Sequence, residues 1–267
     1  MAIKASDNEV AAARAYQQLH VPALFQQFAP VMAAAAGIQP GQRVLDVACG
    51  TGVLAREVAT QVGDDGVVAG LDAAPGMLAV ARQLAPSIDW HQGLAESLPY
   101  EDHAFDAVVC QFGLMFFQDR LAAIAEMLRV AAPGGRLAVG VWDSLEHSQA
   151  YPDAVALLER QAGQAAADAL RAPFVMGDQH QLAKLFQDAG AVSVDITTHH
   201  GTARFPSIRA MVEADLRGWL PVMGVNLTEQ QIAIILTEAE TVLNRFVTAG
   251  GTVAFDAPAH IVTARAP

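Results

Sequence analysis

The sequence predicts an α/β protein built on a doubly wound, mostly parallel sheet. Three observations carry that expectation. From Arg43 onward, short apolar runs alternate with segments of helical spacing, the pattern that folds into strand–helix–strand crossovers of one hand. The first of those runs ends in a small-residue turn, Cys49-Gly50-Thr51-Gly52, ahead of a helix. Glycine there gives the backbone access to positive φ and lets a ligand come close. Hydrophobic residues make up 53% of the 267 positions and charged residues 16%, enough apolar surface to offset chain entropy and to exclude a disordered chain.

Two helices open the chain, over residues 8–20 and 23–36, stopped by Gly37 and by Pro40-Gly41. Residues 44–48, 67–71, 105–109 and 136–141 follow as buried parallel strands, with 88–91 as a shorter one. Helical spacing fills 53–62, 76–84 and 120–131 between them, and Pro133-Gly134-Gly135 is expected to turn the chain into the fifth strand. After Trp142 the pattern is mostly helical to about residue 189. Two further strands, 192–198 and 252–264, bracket helical segments at 207–220 and 228–247. No internal repeat and no linker rich in Gly, Pro or Ser divides the chain. One domain over 1–267 is therefore expected: a helical cover (1–40), a core (41–142), a helical region (143–190) and a helical insertion (206–247) between the last two strands.

Charge and composition narrow the function classes. There are 16 basic and 28 acidic side chains, a net charge of −12, and the only lysines are Lys4 and Lys184. Scattered arginines without a basic run argue against nucleic acid as a partner, and an acidic surface favours neutral or cationic small ligands. No apolar stretch reaches the ~18–20 residues that span a bilayer, so no membrane partner is expected. Lys4 is followed by Asp7 and Glu9 rather than by an apolar run, which does not resemble a secretory signal. Cys49 and Cys110 are too few for a zinc ribbon or a disulfide framework. A cytoplasmic protein is the expectation. The sequence carries no signature of oligomeric state.

The informative segment runs Val44-Leu45-Asp46-Val47-Ala48-Cys49-Gly50-Thr51-Gly52-Val53-Leu54-Ala55. Asp72 ends the next strand, where a carboxylate can accept hydrogen bonds from vicinal ribose hydroxyls. Taken alone, Gly50-x-Gly52-x-x-Ala55 with Asp72 also satisfies the dinucleotide fingerprint. Dehydrogenase and methyl-transfer chemistry both remain open at this point.

The wider pattern resembles the class I S-adenosylmethionine-dependent methyltransferases, in particular the small-molecule group typified by ubiquinone/menaquinone-biosynthesis methyltransferases. Asp46 is similar to the acid of that family's acidic-x-Gly-x-Gly-x-Gly motif, Asp72 to its ribose-binding acid, and Met77-Leu78 to the residues beside the adenine. Gly93-Leu94-Ala95-Glu96-Ser97-Leu98-Pro99-Tyr100 resembles the loop after the third strand. Phe105-Asp106-Ala107-Val108-Val109, Leu128-Arg129 and Pro133-Gly134-Gly135-Arg136-Leu137 resemble the fourth strand, the helix after it and the fifth strand. The resemblance covers about residues 41–142. It implies a Rossmann-like seven-stranded sheet in the order 3-2-1-4-5-7-6 with the last strand antiparallel, and helical lid additions. It also implies S-adenosylmethionine as cofactor and S-adenosylhomocysteine as its product. The cofactor residues it implies are Tyr16, Asp46, Ala48, Gly50, Thr51, Gly52, Asp72, Ala73, Met77, Ala95, Glu96 and Gln111. Two departures stand out. Ala48 replaces the first glycine of the motif, and Leu94 replaces the acid that meets the adenine amino group, so that contact is absent, shifted to Glu96, or made by backbone and water. In the implied strand order the first and fourth strands are neighbours, so Cys49 and Cys110 are expected near each other.

Methyl transfer needs an aligned nucleophile and a dry site, with a base only where the acceptor is a poor nucleophile. The turn Cys110-Gln111-Phe112-Gly113 lacks the Asn/Asp-Pro-Pro-aromatic sequence of amino methylation in nucleic acids, and Cys110 lacks the Pro-Cys setting of cytosine-C5 enzymes. Asp143 stands alone, against a magnesium-dependent catechol enzyme, and the histidines show no metal-ligand spacing, so no metal is expected. A small-molecule methyl acceptor remains. Phe112, Leu114, Met115, Phe116 and Phe117, with Met211, Trp219 and Met223, line an apolar acceptor pocket or pack the core. An apolar or aromatic acceptor methylated at a hydroxyl oxygen is expected, with nitrogen or carbon as alternatives. Base candidates are His20, His147 and Tyr16. Two other classes stay open. A nicotinamide-dependent oxidoreductase is weakened by the absence of a lysine four residues after Tyr16, Tyr100 or Tyr151. A non-catalytic S-adenosylmethionine-binding protein would carry the same motifs.

Overall fold

The computed structural model describes residues 5–267, so Lys4 lies outside it. Seven strands form one sheet: β1 (Arg43–Val47), β2 (Val67–Asp72), β3 (Asp89–Gln92), β4 (Phe105–Gln111), β5 (Ala131–Trp142), β6 (Val192–Phe205) and β7 (Val253–Arg265). Their order is β3-β2-β1-β4-β5-β7-β6, as expected. β1 to β5 pair in parallel, and β7 runs antiparallel between β5 and β6. Alternate residues of the central strands feed two cores. Leu45, Val47, Leu71, Val108 and Val139 face one side, and Val44, Val68, Ala107, Val109 and Ala138 the other. Burial on both faces is why these strands read as continuous apolar runs.

Two strands depart from the expected limits. β6 continues past Thr198, pairing Thr202 with Asp256 and Phe205 with Val253. It is the sheet's edge with one face half in solvent, so its outer half has no apolar run to announce it. β5 begins at Ala131 because Pro133-Gly134-Gly135 bulges within the strand. Phe105 pairs with Ala131 and Ala107 with Arg136, and the bulge is closed by hydrogen bonds between Gly134, Gly135 and Ala266.

Helices pack on both faces: α1 (Asp7–His20), α2 (Ala29–Ala36), α3 (Val53–Val62), α4 (Pro75–Leu84), α5 (Arg120–Val130), α6 (Tyr151–Ala162), α7 (Gln164–Arg171), α8 (Gln179–Asp188), α9 (Ile208–Ala214), α10 (Leu220–Val222) and α11 (Glu229–Val242). Ser6 and Glu9 form a capping box that starts α1. The expected break after His20 is instead a continuous helical path. Pro22 and Pro30 lack an N–H, and the chain carries on through a π turn (Val21–Phe25) and a tight turn (Gln26–Phe28) into α2. The insertion between β6 and β7 has its own caps, Ser207 before α9 and a Thr228–Gln231 capping box before α11. A second π turn, Asp215–Trp219, joins α9 to α10.

Three contacts seat the N-terminal segment over the carboxyl ends of the strands. α1 lies against α4 where Gly76 leaves room: a Cβ there would come within 2.5 Å of the Glu9 carbonyl oxygen. Gln27 exchanges two hydrogen bonds with the backbone of Thr202, at 3.0 and 2.9 Å. Phe28 is fully buried, edge-on to Phe112 and Trp142 at 5.1 and 5.5 Å, and fits beneath Gly201, where a Cβ would press on its ring.

The two cysteines are both free and buried but belong to opposite faces of the sheet. Ala48 adopts a left-handed conformation, φ +56°, which sends Cys49 to the Gly70 and Trp90 side, while Cys110 faces Gly113. Their strands are neighbours as expected, and the two thiols enter different packing clusters.

Phe28→Ala is expected to lower stability by roughly 3–5 kcal/mol, the cost of emptying a filled aromatic site, as read by urea unfolding. A loss below about 1 kcal/mol would show that the ring does not fasten the N-terminal segment.

Candidate active site

The site begins where β1 stops. Ala48, Gly50 and Gly52 all take positive φ, at +56°, +56° and +81°. For an L-residue such as Ala48 this conformation costs about 1–2 kcal/mol. Its methyl group packs close to Gly113, where a Cβ would come within 2.6 Å. Phe112, just past β4, also has positive φ, +58°. Non-glycine residues in this region cluster at ligand sites, where the surroundings hold the strain.

The two motif glycines have different tasks. A Cβ on Gly50 would meet nothing nearer than Tyr16, at 4.0 Å, whereas a Cβ on Gly52 would collide with the Trp90 ring. Gly50 therefore presents an open face, and Gly52 makes room for β3. Thr51 is buried and donates to Gln17 Oε1 at 2.6 Å, tying the turn to α1. Thr51 and Gly52 support the turn and do not line the cavity below.

Two acids flank the turn. Asp72 accepts hydrogen bonds from the Gly50 and Ala74 amides, both 2.8 Å, so it braces the turn while keeping unused lone pairs. Asp46 accepts from the Ala55 amide through Oδ2 at 2.9 Å, and its buried Oδ1 has no partner. Burial pushes the Asp46 carboxyl up to about 8, and burial likewise raises Asp72.

A cavity of ≈ 1160 Å³ opens above these residues, larger than the roughly 300–1,000 Å³ of a typical small-ligand pocket. Ala48, Gly50, Asp72, Ala73 and Met77 line one end. Ala95, Glu96 and Gln111 also line it, with Tyr16 and His20 contributed by α1. Asp46 faces a small adjoining recess with Tyr16 and Gln111. Gln111 donates through Nε2 to the Phe25 carbonyl at 3.2 Å, leaving a buried, unpartnered Oε1. Glu96 Oε1 is engaged by the Gln118 and Asp119 amides at 3.0 and 3.4 Å. Leu94 is 60% exposed at the rim.

The three base candidates separate. Tyr16 stacks on His20 with ring centres 5.7 Å apart, and burial raises its hydroxyl far above the ordinary value, so it stays protonated. His20 reaches the far end of the cavity. His147 does not line it; its ring is 64% exposed and sits 3.0 Å from Asp143. Asp143 is also not alone, since His260 approaches the same carboxylate oxygen at 3.0 Å. Burial opposes ionisation of Asp143, but hydrogen bonds from His147 and Ser144 outweigh it and hold the carboxyl below its ordinary value. Among the described residues no group of three or more His, Cys, Asp or Glu is arranged to hold a metal, and no helix is long and apolar enough to cross a membrane.

The far end contains residues that sequence reasoning missed. Tyr151, Phe174 and Asp215 line it beside Phe116 and Trp219. Asp215 had a legible signal: it continues the apolar spacing of Ile208, Met211 and Val212 toward Leu216, a lone acid on a buried helical face. Tyr151 had none, because its neighbours come from distant parts of the chain.

Residues 44–135 match a family described as a methyltransferase domain. Over 106 residues the chain is 48% identical to the demethylmenaquinone methyltransferase of Renibacterium salmoninarum, covering 39% of this chain and 43% of that one. Over 181 residues it is 33% identical to the ubiquinone/menaquinone biosynthesis C-methyltransferase of Shewanella halifaxensis, covering 61% of this chain and 71% of that one. The match thus spans less than half of the first relative and about seven-tenths of the second. Among solved structures, phosphoethanolamine N-methyltransferase 2 of Haemonchus contortus superposes with a TM-score of 0.61 at 14% identity, covering 97% of this chain and 57% of that one. That is a likeness of fold.

Two outcomes are expected. An Asp46 carboxyl raised in the folded state stabilises the protein below the unfolded value near 4 and loses that contribution as pH rises through about 8. Thermal unfolding should therefore fall between pH 5 and 8 relative to Asp46→Asn, and S-adenosylhomocysteine should shrink the difference, since its ammonium group favours the carboxylate. Parallel pH profiles for the two proteins would contradict this. Gly52→Ala should cost on the order of 2–3 kcal/mol through the Trp90 collision and positive φ. Gly50→Ala should cost about 1 kcal/mol yet weaken S-adenosylhomocysteine at least tenfold by calorimetry; the reverse ranking would exchange their roles.

Proposed function

Because the chain belongs to the class I S-adenosylmethionine-dependent methyltransferases of the ubiquinone/menaquinone-biosynthesis type, we propose that it transfers a methyl group from S-adenosylmethionine to a hydroxyl oxygen of a small, quinone-related aromatic molecule. The observation that carries this reading is the continuity of the cavity from Asp72 and Met77 at one end to His20, Phe116 and Trp219 at the other. Its volume is enough for a cofactor and an acceptor side by side.

The residues at the first end fit the cofactor. The Gly50 face is open, Asp46 Oδ1 is buried without a donor, and Asp72 retains lone pairs beside the turn. When bound, S-adenosylmethionine supplies an electrophilic methyl group on a positively charged sulfur. Asp72 would accept from the ribose hydroxyls, Ala73 and Met77 would flank the adenine, and Asp46 with Gln111 would face the amino-acid portion. Tyr16 and Phe25, with rings 5.4 Å apart, close the cavity from above and exclude water.

At the second end, aromatic walls would hold the acceptor ring, and His20 would take its hydroxyl proton. His147 is not in a position to do so. The cover (1–40) and the insertion (206–247) meet across this end, His20 from one and Asp215 from the other, which supports a lid role for both. The C-methyltransferase relative favours a second reading, transfer to a ring carbon.

Incubation with labelled S-adenosylmethionine and a panel of hydroquinones, with the methylated position read by NMR, tests the reaction and its atom. An O-methyl product is expected, and a ring-methyl product would transfer the assignment to carbon. His20→Ala should lower turnover on the order of 10²-fold while S-adenosylhomocysteine affinity stays within a few-fold. Undiminished turnover would remove His20 from the chemistry.

A further inference from the structure

Asp215 is a buried acid that cofactor binding does not use. It opens the π turn of the insertion and is 7% exposed. Its carboxylate lines the cavity and has no hydrogen-bond partner among the described residues; His20 Nε2 lies 3.9 Å away, beyond hydrogen-bond reach. Burial opposes its charge, and His20, as an ion-pair partner at 3.9 Å, offsets that only in part, so a ligand donor at hydrogen-bond distance in the cavity would complete it.

The surroundings specify that ligand. Tyr151 enters at the start of α6, its ring 5.2 Å from Phe174 and 5.7 Å from Phe255, and its hydroxyl makes no hydrogen bond among the described residues. Burial, and then the charge of Asp215, push that hydroxyl well above its ordinary value, so it remains a donor. Trp219 lies 5.0 Å from Phe116 and gives its indole N–H to the Ala169 carbonyl at 2.8 Å, so it offers the cavity an apolar ring and no donor. Among the described residues Arg217 is the only Lys or Arg lining the cavity, against five carboxylates: Asp72, Glu96, Asp119, Glu213 and Asp215. It is held by Glu213 at 2.9 Å and Glu229 at 2.6 Å. An anion on the acceptor would meet carboxylates and, among the described residues, no Lys or Arg free of a carboxylate partner.

We propose that Asp215 sets the specificity of the acceptor end: it accepts a hydrogen bond from the hydroxyl of a neutral aromatic acceptor, Tyr151 donates to an oxygen of the same molecule, and acceptors bearing a carboxylate or phosphate on the ring are rejected. This rests on the methyl-transfer reading for the presence of an aromatic acceptor, but not on which atom is methylated. Asp215 acts here on binding, and His20 alone is assigned the proton.

The test is calorimetric titration of the S-adenosylhomocysteine-saturated protein, under reductant, with naphthalene-1,4-diol and with its 2-carboxylate. The wild type should bind the diol at least tenfold more tightly. Asp215→Asn should bring the ratio below threefold, because an amide accepts from the diol less strongly and can donate to the carboxylate. Tyr151→Phe should weaken the diol several-fold. Asp215→Ser gives the same readout if the asparagine variant does not fold. Equal binding of the two probes by the wild type, or a ratio unchanged in the Asp215 variants, overturns the proposal and leaves the methyl-transfer reading intact. Binding of neither probe overturns both.

Discussion

Between Val47 and Val53 the chain reverses from strand to helix, and the rest of the site depends on how that reversal is held. Asp72 takes the Gly50 amide, Asp46 takes the Ala55 amide and Gln17 takes the Thr51 hydroxyl. Each bond comes from a different part of the molecule: the neighbouring strand, the reversing strand itself and the N-terminal cover. The strand order puts β2 and β4 on either side of β1, so Asp72 and Gln111 flank the turn. This is the general position of ligands in open α/β sheets, outside the carboxyl ends of the strands. Ala48 shows how firmly the reversal is imposed, since an L-residue is kept in a conformation suited to glycine.

The two ends of the cavity are made differently. Strand ends and short loops build the end near Asp72, and their spacing is set by the sheet. Apart from Phe116, which follows β4, the other end is built by elements added to the strand–helix repeat: α1, the start of α6, the segment after α7, and the π turn after α9. Such additions can change without disturbing the sheet. The fold is therefore a weak guide to the acceptor, and the side chains at that end have to carry the argument.

That division also explains what the sequence disclosed. The strand order, the glycine turn and Asp72 were legible because local spacing encodes them. Gly52 was expected at the ligand, but the ring that decides its role, Trp90, lies on a strand two places away. Strand adjacency placed Cys49 and Cys110 on neighbouring strand ends, but the positive φ of Ala48 that turns their thiols into different clusters has no local trace. His147 was a candidate from its place after β5, and an i,i+4 contact with Asp143 holds it at the surface instead. Asp215 could have been noticed as an acid on an apolar helical face. Its meeting with His20, from residues 195 positions apart, is a tertiary fact with no local trace.

The seat of Phe28 and Gln27 has a consequence for the order in which the protein is made. Gln27 bonds to Thr202 across 175 residues of chain, and Phe28 needs the bare surface of Gly201. During synthesis at ≈ 5–20 residues per second, the first helices leave the ribosome roughly 10–35 s before their partner strand exists. Through that interval the Phe28 ring has no native place, and contacts of such long sequence separation are the last to form. The nascent chain can complete its central parallel strands first. The N-terminal segment, although translated before β6, has no native seat until β6 exists.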